Sequence, residues 1–444
     1  MLPAMADDPV SSDHRPDGSR PPGAGGRPSR EAGTAAALPV SAALSRRTRG
    51  LLAVGLVLAA LNLRPAIGGL GPLLAEVRDG LGMSGTVAGL LTSAPALCFA
   101  VFGGAAPRLA RRWGPAAVLA GALAAVTTGL ALRPLAGGTA AFLAASVLAL
   151  AGIATGNVLM PVVVKRWFPD RVGPMTGLYS MALSLGTAAA AAFTVPLTGA
   201  LGGGWRLGLG MWALLGALAL LVWLPVARTC RTRAGSADRA GGGTGAVGGT
   251  PPVRVTRSPT AWALGVFFGL QATAAYVTMG WLPQILRDAG VPAATAGLLL
   301  AVAMGLGIPL AFVLPRIAAR LGHQGPLAAV LAVCGLGGYA GLWLAPAAGA
   351  WAWALLLGVS NCAFPLVLTM IGMRARTGAG VAALSAFAQG TGYLIAIPGP
   401  LLVGVLHQHT GGWHAPLLLL AALMAAQLAV GTVAGRDRCV EDGH

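Results

Sequence analysis

Charge is scarce in this sequence, and acid scarcest of all. Of 444 residues, 10% are charged and 56% hydrophobic, and the mean hydropathy is +0.74, which excludes an ordinary soluble mixture. All 13 Asp and Glu residues lie outside the interiors of the apolar runs, with Glu76 and Asp79 closest, at the end of the first. An embedded carboxylate relay for proton or sodium coupling is therefore disfavoured. No GxxxxGK[ST] run is present to hold a nucleotide, and no cluster of nucleophiles, acid/base groups or metal ligands falls within the runs, which argues against an enzyme. The five cysteines (Cys98, Cys230, Cys334, Cys362 and Cys439) form no CxxC pair and no disulfide framework. No cofactor and no metal site is expected; "HQHTGGWH" (His407 to His414) lacks a carboxylate or cysteine neighbour and reads as a solvated loop.

Long apolar stretches are abundant. Runs of 20 or more residues recur along the chain, each able to cross a hydrocarbon core of roughly 30 Å as a helix, the form that satisfies its own backbone in lipid. Breaks at charged and Gly/Pro clusters place the spans near residues 50–75, 85–106, 114–133, 139–164, 173–197, 205–227, 260–286, 293–314, 325–346, 350–372, 380–402 and 413–434. The fold class is an all-α membrane protein of twelve transmembrane helices in two six-helix repeats. Residues 1–48, rich in Pro, Gly, Ser and Arg, contain no apolar core for a signal peptide. They read as a disordered cytoplasmic tail, or in part as an overlong gene start. Residues 50–227 and 260–434 are the two bundles, 228–259 a flexible basic linker and 435–444 a second cytoplasmic tail.

A net charge of +17 invites a nucleic-acid reading, which the placement of the charges rejects. Counted by side, 25 of the Lys and Arg residues fall on the face carrying both termini and four on the other, Arg78, Arg133, Arg206 and Arg287. The positive-inside rule makes the rich face cytoplasmic, in the cell membrane. The remaining basic residue is Arg64, inside the first span within "LNLRP".

The halves echo each other. "PRLARRWG" after the second span matches "PRIAARLG" after the eighth, "GNVLMP" in the fourth matches "SNCAFP" in the tenth, and "GGGWR" before the sixth matches "TGGWH" before the twelfth. Matched landmarks in one order point to a duplicated six-helix unit.

Twelve helices in two parallel repeats around a basic central loop resemble the major facilitator superfamily. That family's loop after the second span is kept at Gly103, Arg108, Arg111 and Arg112, but Pro107 stands where an Asp is usual and Ala110 where a Gly is usual. "LNLRPAIGGLGPLL", "GNVLMPVVVKRWFPDRVGPMTGLYS" and "GWRLGLGMWALLGALALLVW" resemble the cyanate and 2-nitroimidazole transporters within it, over about residues 50–435. The resemblance implies that spans 1, 4, 7 and 10 line a central cavity, which would gather Arg64, Asn157, Gln271 and Asn361 near the midplane, with Asn62 beside Arg64 in "LNLRP".

An arginine at a helix centre costs about 2.5–3.5 kcal/mol on insertion scales, and snorkelling cannot reach an interface roughly 15 Å away. Arg64 therefore faces a cavity or a partner in the bundle. Two readings stand: a folding element bonded to carbonyls or amides, or an anchor for an anionic or strongly polar solute. Pro65 beside it frees a carbonyl at the same depth. Asn157 and Asn361, each four residues before a proline, either satisfy freed carbonyls or contact solute. Tyr179, Gln389 and Tyr393 either close the cavity walls or pack with a satisfied polar tip. Trp281 and Met304 are weaker candidates, an aromatic near a span end being usually an interface anchor. Arg108, Arg111 and Arg112, with Arg316 and Arg320 in the echo, suit gating contacts to helix C-terminal carbonyls.

The functional expectation is a secondary active or facilitative transporter of a small anionic or polar solute, cyanate- or nitroimidazole-like, working by rocker-switch alternating access. Its partners are the lipid bilayer and the solute, and it acts as a monomer. The alternative is an exporter of drugs or metabolites on the same fold; a membrane-embedded sensor or enzyme ranks below both.

Overall fold

The computed structural model describes residues 46–237 and 255–440; residues 1–45 of the expected tail, 238–254 of the expected linker and 441–444 of the expected second tail lie outside them. Twelve membrane-length apolar helices run through it, and no strand occurs among the described residues. Spans 1 to 6 are Gly50–Leu81, Gly85–Trp113, Pro115–Leu135, Thr139–Trp167, Pro174–Ala200 and Trp205–Pro225. Spans 7 to 12 are Pro259–Asp288, Ala293–Arg320, Gly325–Leu344, Ala350–Met373, Gly380–Thr410 and His414–Ala434. An even number of spans puts Arg46 and Val440 on one face, called here the terminus side; the other is the far side.

Several spans outrun the expected boundaries: spans 2, 8 and 11 run on to Trp113, Arg320 and Thr410, and spans 1 and 6 do so too. Span 1 continues to Leu81 because Leu74 and Val77 stay buried while Glu76, Arg78 and Asp79 project from the far end. It stops where Gly82, at φ 62°, takes the left-handed C-cap, and the Ser84 hydroxyl accepts the Val87 amide to open span 2. The helix of span 6 extends to Ala237, so the segment expected as linker from residue 228 begins as helix.

Span 1 is broken at the feature that stood out in the sequence. Helix Arg46–Asn62 ends before Arg64, and a short turn, Pro65–Gly68, follows. Pro65 has no N–H to return to the Leu61 carbonyl. Gly186 of span 5 packs directly on that carbonyl, where a Cβ would collide with it. Span 10 is interrupted likewise, with Ala350–Asn361 ending at Asn361 and Ala363–Met373 resuming after Cys362. Span 2 carries a π-helical stretch, Phe99–Gly103, one turn after Pro95. These irregular turns sit where a backbone can be satisfied within protein or cavity rather than lipid.

The halves close on each other at the far side. Gly71 of span 1 lies so near the Met279 carbonyl of span 7 that any side chain would clash, and Gly89 of span 2 packs on Leu401 of span 11 at 2.8 Å from the ideal Cβ position. Small residues at such crossings allow backbone-to-backbone approach. Polar bonds add to the seal: Trp281 Nε1 donates to Thr92 Oγ1 at 3.1 Å, and Thr86 donates through its amide and hydroxyl to Gln408 Oε1 at 2.8 and 3.0 Å. Arg287 of span 7 pairs with Glu76 of span 1 at 2.8 Å and donates to the Pro72 carbonyl at 3.2 Å.

Trp281 is thus no interface anchor. It is fully buried, edge-on to Trp413 at 5.8 Å, because its indole completes the seal between spans 2 and 7. Most of the "HQHTGGWH" segment is exposed, with two of its rings pinned: His407 stacks on Trp413 at 4.0 Å, and Trp413 Nε1 donates to Asp288 Oδ2 at 2.9 Å. On the terminus side, buried Arg374 donates to Asp437 Oδ1 at 3.0 Å, to the Gly435 carbonyl at 2.9 Å and to Gln324 Oε1, while Val440 donates its amide to the Arg374 carbonyl. Residues 435–440 are held against the bundle by these bonds.

Candidate functional site

A cavity of about 430 Å³ lies between the halves, walled by spans 1, 5, 7, 8, 10 and 11. Its lining runs from Arg64, Gln271, Tyr276 and Tyr393 at mid-span to Thr176, Phe312 and Leu368 towards the terminus side. The break in span 1 presents Arg64 to this space. The guanidinium forms no hydrogen bond or ion pair with any described residue, and no Asp or Glu lines the cavity. It lies within electrostatic reach of the Tyr276 and Tyr393 hydroxyls.

The structural task open to Arg64, tying span 1 to the bundle through carbonyls, is performed by Arg133. That residue, expected on a far-side turn, is 1% exposed. It donates to the Ala66 carbonyl at 2.8 Å and to Ser146 Oγ at 3.0 Å, and lies 5.6 Å over the Phe142 ring. The turn after Arg64 is therefore held from behind while Arg64 itself points to the cavity.

Four of the residues singled out in the sequence meet here: Arg64, Gln271, Asn361 and Tyr393. Gln271 Nε2 donates to the Asn361 carbonyl at 3.4 Å, and both Gln271 Oε1 and Asn361 Nδ2 are buried without a partner. Tyr393 is fixed between Phe99, stacked at 4.9 Å, and Phe268, edge-on at 5.1 Å. Met304 also joins the lining.

The other four lie off the lining. Asn62 is fully buried, its amide beside Gly216 of span 6 and close to Thr127, because residues two apart on a helix face different ways. Asn157 returns its amide to the Ile153 carbonyl of its own helix at 2.9 Å. Tyr179 packs, partly buried, against the hydrophobic core, and Gln389 donates to Ser385 Oγ at 2.7 Å. The five arginines expected in loops lie instead in the last turns of spans 2 and 8; Arg108 and Arg316 reach only carbonyls of their own helices, Gly104 at 3.5 Å and Phe312 at 2.8 Å. Arg112 lies over Trp113; Arg111 and Arg320 are exposed.

Two features went unseen in the sequence. Tyr276 lines the cavity next to Arg64's field; it belongs to a stripe, Phe268, Gln271, Ala272, Ala275, Tyr276 and Met279, whose three-to-four spacing marks one helix face and was available to find it. Span 5 contributes hydroxyls at Thr176, Ser180, Ser184 and Thr187, again along one face. Among the described residues no group of three or more His, Cys, Asp or Glu is arranged for a metal.

Twelve spans in two six-helix halves around a mid-membrane cavity are the architecture of a membrane transporter. Residues 52–397 match the family model of the Major Facilitator Superfamily. Over 400 residues the chain is 36% identical to the 2-nitroimidazole transporter of Escherichia coli K12, covering 90% of this chain and 98% of that one. It is 33% identical to the cyanate transport protein CynX of the same organism over 384 residues, 85% and 96% of the two chains, and 35% identical to the uncharacterized transporter YycB of Bacillus subtilis over 391 residues, 88% and 94%. Among solved structures, a bacterial homologue of the lysosomal transporter Spinster superposes with a TM-score of 0.68 at 15% identity, covering 88% of this chain and 96% of that one. The nucleoside transporter NupG gives 0.67 at 15%, with 86% and 99% covered; these two speak to the fold alone. The chain belongs to the major facilitator superfamily, in the group that holds the 2-nitroimidazole and cyanate transporters, and its function is transmembrane transport of a small solute.

Proposed function

We propose that this protein is a secondary active or facilitative transporter, without enzymatic activity, that carries a small anionic or polar solute across the cell membrane by rocker-switch alternating access. The observation that supports this best is Arg64, a guanidinium bordering the cavity with no bonded partner and no carboxylate in the lining. A fixed positive charge left open towards a low-dielectric space favours a transient anion. Gln271, Asn361 and Tyr393, with Tyr276, complete the polar contacts around it. The solutes named for the two Escherichia coli relatives, 2-nitroimidazole and cyanate, are small and polar, in keeping with this cavity.

The arginine-rich terminus side is assigned to the cytoplasm, so the cavity, sealed at the far side, is taken as inward-facing. In the opposite state Arg108, Arg111, Arg112, Arg316 and Arg320, at the ends of spans 2 and 8, engage carbonyls across the halves and lock the cytoplasmic side. The protein works as a monomer and binds no nucleic acid. Export of drugs or metabolites uses the same cycle, but the positive cavity disfavours cationic drugs.

A thermal-shift panel on purified protein, with small anions including cyanate and with nitroimidazoles, tests the reading against Arg64→Ala. Anions are expected to raise the melting temperature of the wild type and not of the variant. Equal shifts in both proteins, or none from any anion, would sink the anchor role.

A further inference from the structure

Arg64 is not alone as an embedded guanidinium without a carboxylate partner: Arg133 shares that state. It is 1% exposed and forms no ion pair with any described residue. Arg374, just as buried, has Asp437 at 3.0 Å, so this fold does supply a carboxylate to a buried structural arginine elsewhere. A guanidinium in low-dielectric surroundings with only neutral acceptors keeps a large uncompensated desolvation cost.

Its donors are also only partly used. A guanidinium carries five N–H groups, and Arg133 directs one from Nε to Ser146 Oγ and one from Nη1 to the Ala66 carbonyl. Nη2 bonds to no described residue, yet no Arg133 nitrogen is sealed off without a partner, as Arg374 Nε is. What keeps Nη2 accessible is a chamber of about 20 Å³ that Arg133 borders.

This chamber lies between the large cavity and the far-side seal, and Tyr276 stands in the walls of both spaces as a partition. Gly71 of span 1 and Thr92 of span 2 line it from one half, Tyr276 and Gly280 of span 7 from the other. No carboxylate lines it. The Thr92 hydroxyl is already engaged, donating towards the Ala88 and Gly89 carbonyls and accepting from Trp281. A cavity needs roughly 10–15 Å³ to hold one water, so this one takes a single particle of about that size and excludes an organic solute. A water would accept from the free N–H groups and leave the charge unpaired. A monatomic anion answers both.

We propose that the chamber is a one-ion anion site: a halide held on Arg133 Nη2, behind Tyr276, and occluded while the far side is sealed. Its walls come from both halves, so parting spans 1 and 2 from span 7 opens the chamber and releases the ion. The halide therefore binds the sealed state and, by linkage, favours it. The site stands whether or not Arg64 anchors the solute.

Two measurements on the purified full chain test this. In crystals of the sealed state grown with sodium bromide as the only halide, an anomalous bromide signal is expected in the chamber beside Arg133. In pulsed electron resonance between far-side labels on the two halves, bromide or chloride replacing gluconate at constant ionic strength should lower the open-to-sealed ratio, about tenfold once the halide reaches ten times its dissociation constant. Arg64→Ala should keep this response and Arg133→Gln should lose it. The wild-type bromide signal stands as a test even if Arg133→Gln does not fold. A chamber without anomalous signal, bromide beside Arg64 alone, or a halide response that survives Arg133→Gln would each overturn the site. A chamber signal with unchanged distance distributions would overturn its coupling to the seal.

Discussion

Neutralising Glu76 is expected to tilt the protein towards the state open on the far side. The Arg287 guanidinium lies 2.8 Å from the Glu76 carboxylate, and the side chains are 23% and 36% exposed. Fully exposed pairs are worth about 0–1 kcal/mol, whereas removing one partner of a buried pair costs about 3–5 kcal/mol. This pair sits between those limits, and Arg287 keeps its bond to the Pro72 carbonyl. Glu76→Gln should therefore cost the sealed state about 1–2 kcal/mol, a factor of roughly 5–30 in the ratio of the two states. The pair must break for spans 1 and 7 to part, so the open state loses nothing. Spin labels at Leu201→Cys and Ala348→Cys, exposed far-side positions on opposite halves, in a background without the five native cysteines, report the separation by pulsed electron resonance. The long-distance population should grow in Glu76→Gln and in Arg287→Met, and the double variant should add less than the sum of the two. Distance distributions unchanged in both single variants would refute the lock.

Three further outcomes follow from named contacts. Gly71→Ala drives a methyl into the Met279 carbonyl, so the same labels should report far-side opening larger than that of Glu76→Gln, or a protein that fails to assemble. Arg133→Gln strands the Ala66 carbonyl and Ser146 hydroxyl; an unfolding midpoint corresponding to a loss of about 2–4 kcal/mol is expected, while Arg64→Ala should melt close to the wild type. Arg112→Ala, exposed and bound to nothing across the halves here, should slow transport in proteoliposomes while leaving solute affinity within about twofold, the pattern of a contact made in only one state.

Hydropathy and loop charge were enough to place all twelve spans, because lipid leaves a crossing helix few alternatives. What they missed lies where polar residues continue a helix. Glu76, Arg78 and Asp79 look like a loop, yet Leu74 and Val77 between them keep the last turns of span 1 packed. The candidate site was half legible. Arg64 betrayed itself by the cost of its position, and Gln271 and Asn361 by lying on cavity-lining spans. Internal symmetry misled at Asn157: it holds the place of Asn361 in the repeat, but its helix runs on through Pro161 and its amide turns back to Ile153. Span 10 instead breaks at Asn361, leaving that amide bare. Asn62, adjacent in the motif to Arg64, is turned to spans 3 and 6 by helix geometry alone. Arg133 could not be told from a solvated turn, since its burial depends on the Ala66 carbonyl that a break in another helix exposes.

The central claim is that Arg64 supplies the counter-charge for the solute. The most direct measurement is uptake of the tightest-binding anion into proteoliposomes by wild type, Arg64→Lys and Arg64→Gln, each first shown to melt alike. The account predicts transport reduced by at least about 100-fold in Arg64→Gln, as expected when a charge-assisted contact of about 3 kcal/mol is lost, with little recovery in Arg64→Lys because the two-pronged geometry of the guanidinium is gone. Full transport by a well-folded Arg64→Gln protein would contradict it.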